Sequence, residues 1–349
     1  MLDLVIIGAG ISGLRAATRA QALGLDYQIV EARDRVGGRA YAEAGLDLGP
    51  SWVWPAHQPR VRGLIEALGL RVFAQPERGA LRYETPAGVQ TLDFPKRYAD
   101  AARLEGGPYE LARRLAKALP PDRLALNAHV HEIALAGEGV EVRISNGQGI
   151  QARHVILAAP PPLIAGWSFS PLLPDTLKAA LTRWPTWMAA HAKISLRYDA
   201  PFWREAGLSG SAVSQVGPLM EVVDHSDDEA GRFALFGFYG WPHGIRRRRA
   251  ETLQAETLSQ LERLFGAEAG RPVEIVFKDW ASDPLTATPA DSPGPREHPP
   301  YGEPALSQTW LEGRLAFAGA EASQGHGGLI EGALEAADAA MERLFPASA

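Results

Sequence analysis

Val5-Ile6-Ile7-Gly8-Ala9-Gly10-Ile11-Ser12-Gly13 is the stretch that decides the fold. Its apolar start is typical of a buried parallel strand, and residues 12–23 then show helical spacing up to Gly24. Residues 27–30 predict a second short strand. Because parallel neighbouring strands need a crossover of this kind, the β-α-β order predicts an α/β fold with a doubly wound sheet.

The glycines of this stretch have separate physical roles. Gly8 allows a tight turn after the strand, Gly10 lets a pyrophosphate approach the backbone, and Gly13 allows close contact between helix and strand. The helix N-terminus presents free N–H groups and the positive end of its dipole to phosphate. Glu31, at the end of the second strand, can accept hydrogen bonds from both ribose hydroxyls and disfavours a 2′-phosphate. A dinucleotide other than NADP is predicted; a glycine turn that binds nothing is the alternative.

A second glycine pair follows this acidic residue in the motif Glu31-Ala32-Arg33-Asp34-Arg35-Val36-Gly37-Gly38-Arg39. Glycines here bring the backbone close to a ligand, and Arg39 can pair with pyrophosphate oxygens. An NAD enzyme has no need of this second clamp, so the motif favours FAD. Leu46-Asp47-Leu48-Gly49-Pro50-Ser51-Trp52 then predicts a strand and a turn whose aromatic residue can lie beside a flat ring.

Residues 5–52 together resemble the flavin amine oxidases, the family of monoamine, polyamine and L-amino-acid oxidases and of the histone lysine demethylases. The motif E-A-R-x-R-x-G-G-R is a specific signature of that family, and D-x-G follows it here as it does there. Ala42 stands where the family usually has Ser or Thr, which implies weaker contacts to phosphate.

The C-terminal part carries the same resemblance in residues 317–323 and 327–333. It implies that Glu321, with Gly319 nearby, contacts the ribityl or phosphate region. It also implies that Gly328 precedes a helix whose Leu329 and Ile330 N–H groups face the N1–C2=O edge of the flavin. A helix N-terminus there would stabilise negative charge on the reduced ring. By the same resemblance, the backbone of Val130 holds the adenine.

The resemblance also implies catalytic residues. Lys193, in the apolar stretch 190–196, matches the lysine that is hydrogen-bonded through water to flavin N5 and assists oxygen reaction or imine hydrolysis. A surface lysine at a strand end is the alternative. Trp280 in Asp279-Trp280-Ala281-Ser282-Asp283 matches the tryptophan that packs on the flavin, with a plain core residue as the alternative.

Several positions depart from the family pattern or need separate interpretation. Typical members flank the substrate amine with two aromatic rings, but this chain has Leu329 at one position and Leu285-Thr286-Ala287-Thr288 at the other. The candidates for a rebuilt aromatic wall are Trp52, Trp54 and Trp241. His326, beside the predicted flavin helix, is a candidate active-site residue. The run 246–249, four arginines, predicts a solvated helix face.

Composition limits the possible partners, the way in which a flavin can be attached, and the presence of a metal. The net charge of −6 argues against nucleic acid or an acidic membrane surface as a partner. Cysteine is absent, which excludes disulfides and a cysteinyl flavin bond. Dissociable FAD is expected, with a histidyl flavin bond as the alternative. The histidines show no metal-ligand spacing, and no metal is expected. The sequence shows neither a signal-peptide pattern nor eighteen consecutive apolar residues, so a cytoplasmic protein is predicted.

The predicted architecture is an α/β, Rossmann-like, doubly wound FAD-binding domain of the glutathione-reductase type, with an inserted α+β substrate domain carrying a mixed sheet. We assign residues 1–75, 106–180 and 280–349 to the FAD-binding domain, and residues 76–105 and 181–279 to the substrate-binding domain. The implied activity is oxidation of a small-molecule amine by hydride transfer to flavin N5, imine hydrolysis and reoxidation by O2 to give H2O2. The alternatives are a renalase-like oxidase or desaturase acting on a non-amine substrate, and a non-catalytic flavin-binding protein.

Overall fold

The computed structural model describes residues 1–93, 97–98, 100–292, 298 and 302–346. The strands, in chain order, are β1 Leu2–Ile7, β2 Tyr27–Val30, β3 Ala42–Glu43, β4 Leu46–Asp47, β5 Val72–Ala74, β6 Ala80–Thr85, β7 Gly88–Leu92, β8 Ala102–Leu104, β9 Leu124–Ala125, β10 Val130–Ala136, β11 Gly139–Ile144, β12 Gly149–Leu157, β13 Ser168–Ser170, β14 Ala192–Tyr198, β15 Leu208–Ser214, β16 Leu219–Asp224, β17 Phe233–Tyr239, β18 Glu274–Asp279, β19 Thr309–Trp310 and β20 Leu315–Phe317. The α-helices are α1 Ile11–Ala22, α2 Pro59–Leu68, α3 Tyr109–Lys117, α4 Pro161–Ile164, α5 Asp175–Arg183, α6 Phe202–Glu205, α7 His243–Arg248, α8 Leu253–Phe265 and α9 Ile330–Leu344. Short 3-10 helices lie at Pro121–Arg123, Ala267–Gly270, Trp280–Ser282, Pro289–Asp291, Pro304–Ser307 and Ala320–Ala322.

The first sheet is centred on β1 and has the strand order β13-β10-β11-β12-β1-β2-β9. β1 runs parallel to β2 and β12, with Ile7 opposite Val30 and Leu157, and β20 also runs parallel to β12. β10, β11 and β12 are joined antiparallel. The carboxyl ends of the parallel strands therefore meet at one edge, which is where ligands bind in open α/β sheets.

Burial on both faces explains why β1 is apolar from Leu4 to Ile7. Leu4 and Ile6 pack into a core with helices α1, α3 and α9, whereas Val5 and Ile7 pack into a second core on the opposite face. Leu4, Val5 and Ile6 have no exposed surface. A parallel strand covered on both faces has no position for a polar side chain.

The second sheet has the strand order β18-β14-β17-β16-β15-β6-β7. It is mixed, because β15 runs parallel to β6 while the other neighbouring strands are antiparallel. Leu261 and Leu264 of α8 pack against one face together with Trp203. β14, which carries Lys193, lies between β17 and β18, and it contacts the N-terminal segment through the Ser195 hydroxyl, which donates to the Asp47 carbonyl at 2.9 Å.

The strands of each sheet fall within the chain segments assigned to the two domains. The first sheet draws on residues 1–75, 106–180 and 280–349, and the second on residues 76–105 and 181–279. The small antiparallel pair of β5 and β8 crosses one of the proposed boundaries. The exact boundaries stay a prediction. Within the described ranges, no helix has the length and apolar character needed to cross a bilayer.

Candidate functional site

A cavity of about 560 Å³ is lined by the carboxyl edge of the first sheet and by residues of the second. It brings together most of the residues that the sequence singled out. The predicted residues that line it are Gly8, Gly10, Ile11, Ser12, Glu31, Ala32, Arg33, Gly37, Gly38, Arg39, Gly49, Pro50, Ser51, Trp52, Val130, Lys193, Trp280, Gly319, Gly328, Leu329 and Ile330. Gly13, Glu321 and His326 are not part of the lining.

The turn from β1 into α1 leaves no room for side chains. Gly8 has φ +106°, and a Cβ added to it would lie 2.7 Å from the Ala158 carbonyl oxygen. A Cβ on Gly13 would lie 1.9 Å from the Gly8 carbonyl oxygen. Gly13 therefore acts through helix–strand packing, whereas Gly8 and Gly10 form part of the cavity wall.

Glu31 is held in place by backbone groups. Its Oε2 accepts from the Ala9 N–H at 2.7 Å and its Oε1 from the Arg33 N–H at 2.9 Å, and the side chain is buried at the cavity wall. Each carboxylate oxygen has a further lone pair, so the fixed carboxylate can still accept from two ribose hydroxyls. This geometry fits the ribose of an adenine dinucleotide.

The second glycine pair packs directly against the first. Gly10 and Gly37 form a β-bridge, and a Cβ on Gly38 would lie 3.4 Å from the Gly10 Cα. Arg39 extends from this point and makes a two-point ion pair with Glu321, with Nη1–Oε1 at 2.5 Å and Nη2–Oε2 at 3.1 Å. A guanidinium has five N–H donors, so donors remain for a pyrophosphate. The glycine cradle, the fixed carboxylate and this arginine together fit FAD.

The opposite end of the cavity is organised around Trp280. Its Nε1 donates to the Leu48 carbonyl at 2.8 Å, and its backbone N–H donates to the His191 carbonyl at 3.0 Å. At the start of α9, the Leu329 N–H donates to the His326 carbonyl at 3.1 Å. A local turn thus uses the Leu329 donor, and the contact of the Leu329 and Ile330 N–H groups with the flavin stays a prediction. The Ile330 N–H lies in the first turn of α9, where the helix itself supplies no acceptor.

Lys193 is a buried cation at this end of the cavity. Its Nζ donates to the Gly49 carbonyl and, at 3.3 Å, to the Ser51 hydroxyl, and it lies 4.5 Å from the ring centroid of Phe238. Only 4% of the residue is exposed. Burial, with a further contribution from Arg103, lowers the pKa of Lys193 to about 7, against the attraction of Asp47. An amine with this pKa can both hold and release a proton near neutral pH.

A buried polar cluster lies behind Lys193. The His225 Nε2 faces two donors, the Asp47 N–H at 3.2 Å and the Arg103 Nη2 at 3.0 Å, which favours the neutral ring with its proton on Nδ1. Burial lowers the pKa of His225 well below its usual value and raises the pKa of Asp47 to about 6. Asp47 and Arg103 of this cluster act on the charge of Lys193 and so contribute to its pKa.

Aromatic residues form one wall of the cavity near Lys193, and of these Phe238 is on β17. Trp52 stacks on Tyr98 with ring centroids 4.5 Å apart, and its Nε1 donates to Gln75 at 2.7 Å. Phe238 and Trp54 also line the cavity. Trp241 does not line it; the guanidinium of Arg249 lies 5.0 Å above its ring. Of the three tryptophans considered for a rebuilt wall, Trp52 and Trp54 are in position.

Two interpretations of charged residues are corrected by the structure. His326 lies outside the lining, and its Nδ1 is instead 3.2 Å from a carboxylate oxygen of Glu335 on α9. The arginine run does not form a uniformly solvated face. Arg246 is buried, contacts both carboxylate oxygens of Asp279 at 2.8 and 2.7 Å, and donates to the Ala190 carbonyl at 3.0 Å.

Among the lining residues that the sequence analysis missed are Trp187, Met188 and His191. A Cβ added to Gly328 would lie 2.9 Å from the Cβ of Trp187, so this tryptophan packs directly against Gly328. His191 stands two residues before Lys193, and strand alternation could have placed it on the same face. No sequence pattern around Trp187 and Met188 indicated that they would line the cavity. In the described part of the chain, no group of three or more His, Cys, Asp or Glu residues could hold a metal ion.

Comparisons with known proteins agree with this geometry. A family model described as flavin containing amine oxidoreductase matches residues 82–344, and one described as NAD(P)-binding Rossmann-like domain matches residues 6–68. Flavin-containing amine oxidase B of Sus scrofa is 27% identical over 99% of this chain and 86% of that protein. L-amino acid dehydrogenase of Synechocystis is 25% identical over 98% of this chain and 94% of that protein. The structure of cyclohexylamine oxidase from Brevibacterium oxydans covers 98% of both chains with a TM-score of 0.83 at 22% identity.

The first family match spans well over half of the chain and includes α9, the Lys193 strand and Trp280. The predicted fold, a Rossmann-like FAD domain combined with a substrate domain that carries a mixed sheet, is confirmed. FAD is the cofactor. The chain belongs to the family of flavin-containing amine oxidoreductases and is an FAD-dependent oxidoreductase.

Proposed function

We propose that the protein oxidises an amine whose substituents are apolar. The observation that carries the proposal is Lys193, a buried amine with a pKa of about 7 that lies among aromatic side chains at one end of the FAD cavity. When bound, FAD supplies the acceptor for a hydride from the α-carbon and passes the electrons on to O2, giving H2O2.

The protein's contribution is to bind a neutral amine and to handle protons. A substrate loses hydride as the free amine, because its nitrogen lone pair stabilises the cation that forms. Neutral Lys193 can accept a proton from a water molecule that attacks the imine, and protonated Lys193 can return it as ammonia leaves. The Gly49 carbonyl and the Ser51 hydroxyl keep its Nζ in one position throughout.

The lining around Lys193 favours an apolar substrate. Trp52, Trp54, Trp187, Phe238 and Leu329 present mainly carbon surface. The charged residues of the described lining other than Lys193 are Glu31, Arg33 and Arg39, which belong to the motif at the dinucleotide end. A substrate with a second ammonium group would leave that charge without a counter-ion beside Lys193, which is costly in an apolar cavity.

One observation favours a second candidate. The two positions where typical members carry aromatic rings are occupied by the cavity-lining residues Leu329 and Leu285-Thr286. A cavity without that pair of rings also suits a flat, reduced nicotinamide-like substrate. This second candidate is a renalase-like oxidase.

Anaerobic reduction of the bound flavin tests the proposal. Visible absorbance is followed after mixing the FAD-loaded protein with benzylamine, cyclohexylamine, an L-amino acid, a diamine or a reduced nicotinamide. We expect benzylamine or cyclohexylamine to bleach the flavin fastest, and H2O2 to appear when O2 is admitted. If no amine reduces the flavin even at high pH, the proposal fails; reduction by the nicotinamide alone would support the second candidate.

Two further properties are part of the proposal. FAD is held without a covalent bond, so denaturation followed by filtration should release free FAD. A cytoplasmic location is the expectation that accompanies the sequence pattern.

A further inference from the structure

His191 and Lys193 present their side chains to the same cavity. Both residues line it, and His191 directly precedes β14 while Lys193 is the second residue of that strand. The His191 carbonyl accepts from the Trp280 N–H at 3.0 Å. The backbone of His191 is therefore fixed relative to both Lys193 and Trp280.

The orientation of the imidazole leaves one nitrogen for a ligand. Nδ1 is enclosed by protein, and the ring makes a hydrogen-bond contact with the Met188 backbone. Nε2 is therefore the ring nitrogen that can face the cavity. Burial, together with the cations Arg246 and Lys193, lowers the pKa of His191, so the ring is neutral at neutral pH.

A neutral amine needs an acceptor in this part of the cavity. A primary amine carries two N–H donors, and burying a donor without a partner is unfavourable. Neutral Lys193 donates to Gly49 and Ser51 and has one lone pair, so it can meet only one of the two substrate N–H groups. The neighbouring Trp187, whose ring centroid lies 6.5 Å from that of His191, offers only a carbon face and a donor.

We propose that His191 Nε2 accepts a hydrogen bond from the N–H of the substrate amine, with Trp187 as the adjacent aromatic wall beside Leu329. This inference rests on the proposed oxidation of amines and adds the residue that selects primary over tertiary amines. Typical family members contact the substrate amine with aromatic rings at the positions of residues 285–288 and 329, which are not aromatic here. In this protein His191 and Trp187, both from the segment before β14, would contact the amine instead.

The test uses ligand binding instead of turnover. The probe is α,α-dimethylbenzylamine, which has no hydrogen on the carbon next to nitrogen, and the matched ligand is its N,N-dimethyl derivative, which as a free base has no N–H. Both are titrated into the FAD-loaded protein without oxygen, at a pH where the free amine predominates, and the change in the flavin spectrum gives Kd. His191→Phe removes the acceptor, while His191→Gln keeps one.

We expect His191→Phe to weaken the primary amine roughly three- to tenfold, the range of one hydrogen bond, and to leave the tertiary amine unchanged. His191→Gln should recover most of the loss. FAD content is measured for each variant, and His191→Leu replaces the phenylalanine variant if that one does not retain FAD. Equal weakening of both ligands, or no weakening of either, overturns the inference. Reduction of the wild-type flavin by benzylamine tests the proposed function separately, so the two can fail independently.

Discussion

Arg39 and Glu321 lie 282 residues apart in the sequence, yet their side chains meet through two contacts of 2.5 and 3.1 Å. Glu321 is almost fully buried, whereas Arg39 retains some exposed surface. The pair joins the second glycine motif to the segment that precedes α9. It therefore fixes a cation at the cavity wall before any phosphate arrives.

We expect Glu321→Gln to destabilise the apoprotein by about 1–3 kcal/mol, since Arg39 would keep its charge without a counter-ion. The loss should shrink when FAD is present, because a pyrophosphate can supply the missing negative charge. Urea unfolding with and without FAD measures both values.

Arg39→Gln is the matched control for that pair. It leaves the buried Glu321 unpaired, and FAD cannot compensate an anion, so the loss of stability should persist or grow when FAD is added. If FAD rescues both variants equally, the ion pair is not coupled to cofactor binding.

Glu31 gives the second prediction, on FAD affinity. Glu31→Gln loses one acceptor oxygen and turns an amide donor towards a backbone N–H of Ala9 or Arg33. We expect the Kd for FAD to rise roughly ten- to a hundredfold, the range for hydrogen bonds to a charged group. Glu43→Gln, at an exposed carboxylate that accepts from the Tyr41 hydroxyl, should bind FAD like the wild type. An unchanged Kd for the Glu31 variant would show that Glu31 does not bind the ribose hydroxyls of FAD.

Lys193 gives a kinetic prediction. Lys193→Met keeps the length of the side chain but removes the amine, so we expect reoxidation of the reduced flavin by O2 to slow at least tenfold. Stopped-flow mixing of pre-reduced protein with O2 measures the rate, with Lys178→Met on α5 as the control for a lysine outside the cavity lining. Reoxidation at the wild-type rate would exclude Lys193 from this step.

The same residue predicts how stability depends on pH. The pKa of Lys193 falls from 10.5 to about 7 on folding, so between these values the unfolded chain binds more protons than the native protein. The contribution of this group to stability therefore rises as pH increases from about 7 to 10.5. Urea unfolding across this range should show a steeper rise for the wild type than for Lys193→Met. Parallel curves would mean that the lysine is charged in the folded state.

Gly13 gives a prediction about the fold itself. Gly13→Ala would place a Cβ 1.9 Å from the Gly8 carbonyl oxygen, so α1 would have to move away from β1. We expect a loss of at least about 2 kcal/mol in stability together with weaker FAD binding. Gly63→Ala on α2, where a Cβ meets nothing within 4 Å, should instead stabilise the protein by up to about 1 kcal/mol. A Gly13 variant as stable as the wild type would show that this close contact is not required.

The β-α-β start, the two glycine motifs and Glu31 were predictable because each depends on local backbone chemistry at fixed spacing. Gly8 must adopt φ +106°, and the carboxylate of Glu31 is oriented by N–H groups of its own loop and of the glycine turn. The family and its FAD cofactor followed from these motifs and are confirmed. The roles assigned to single site residues stay predictions.

The environment of the substrate was not predictable in the same way. Nothing local in the sequence distinguishes Trp187 beside Gly328, or the burial of Arg246 against Asp279, from surface residues of the same types. Those positions result from packing between segments more than thirty residues apart in the chain.

The sequence alone therefore determined the fold and the cofactor, because glycines and one carboxylate at fixed offsets dictate how a strand, a turn and a helix surround a dinucleotide. Only the tertiary structure decided which side chains meet at the other end of the cavity. Burial there lowers the pKa values of Lys193 and His191, and this burial depends on residues from distant parts of the chain that line one cavity.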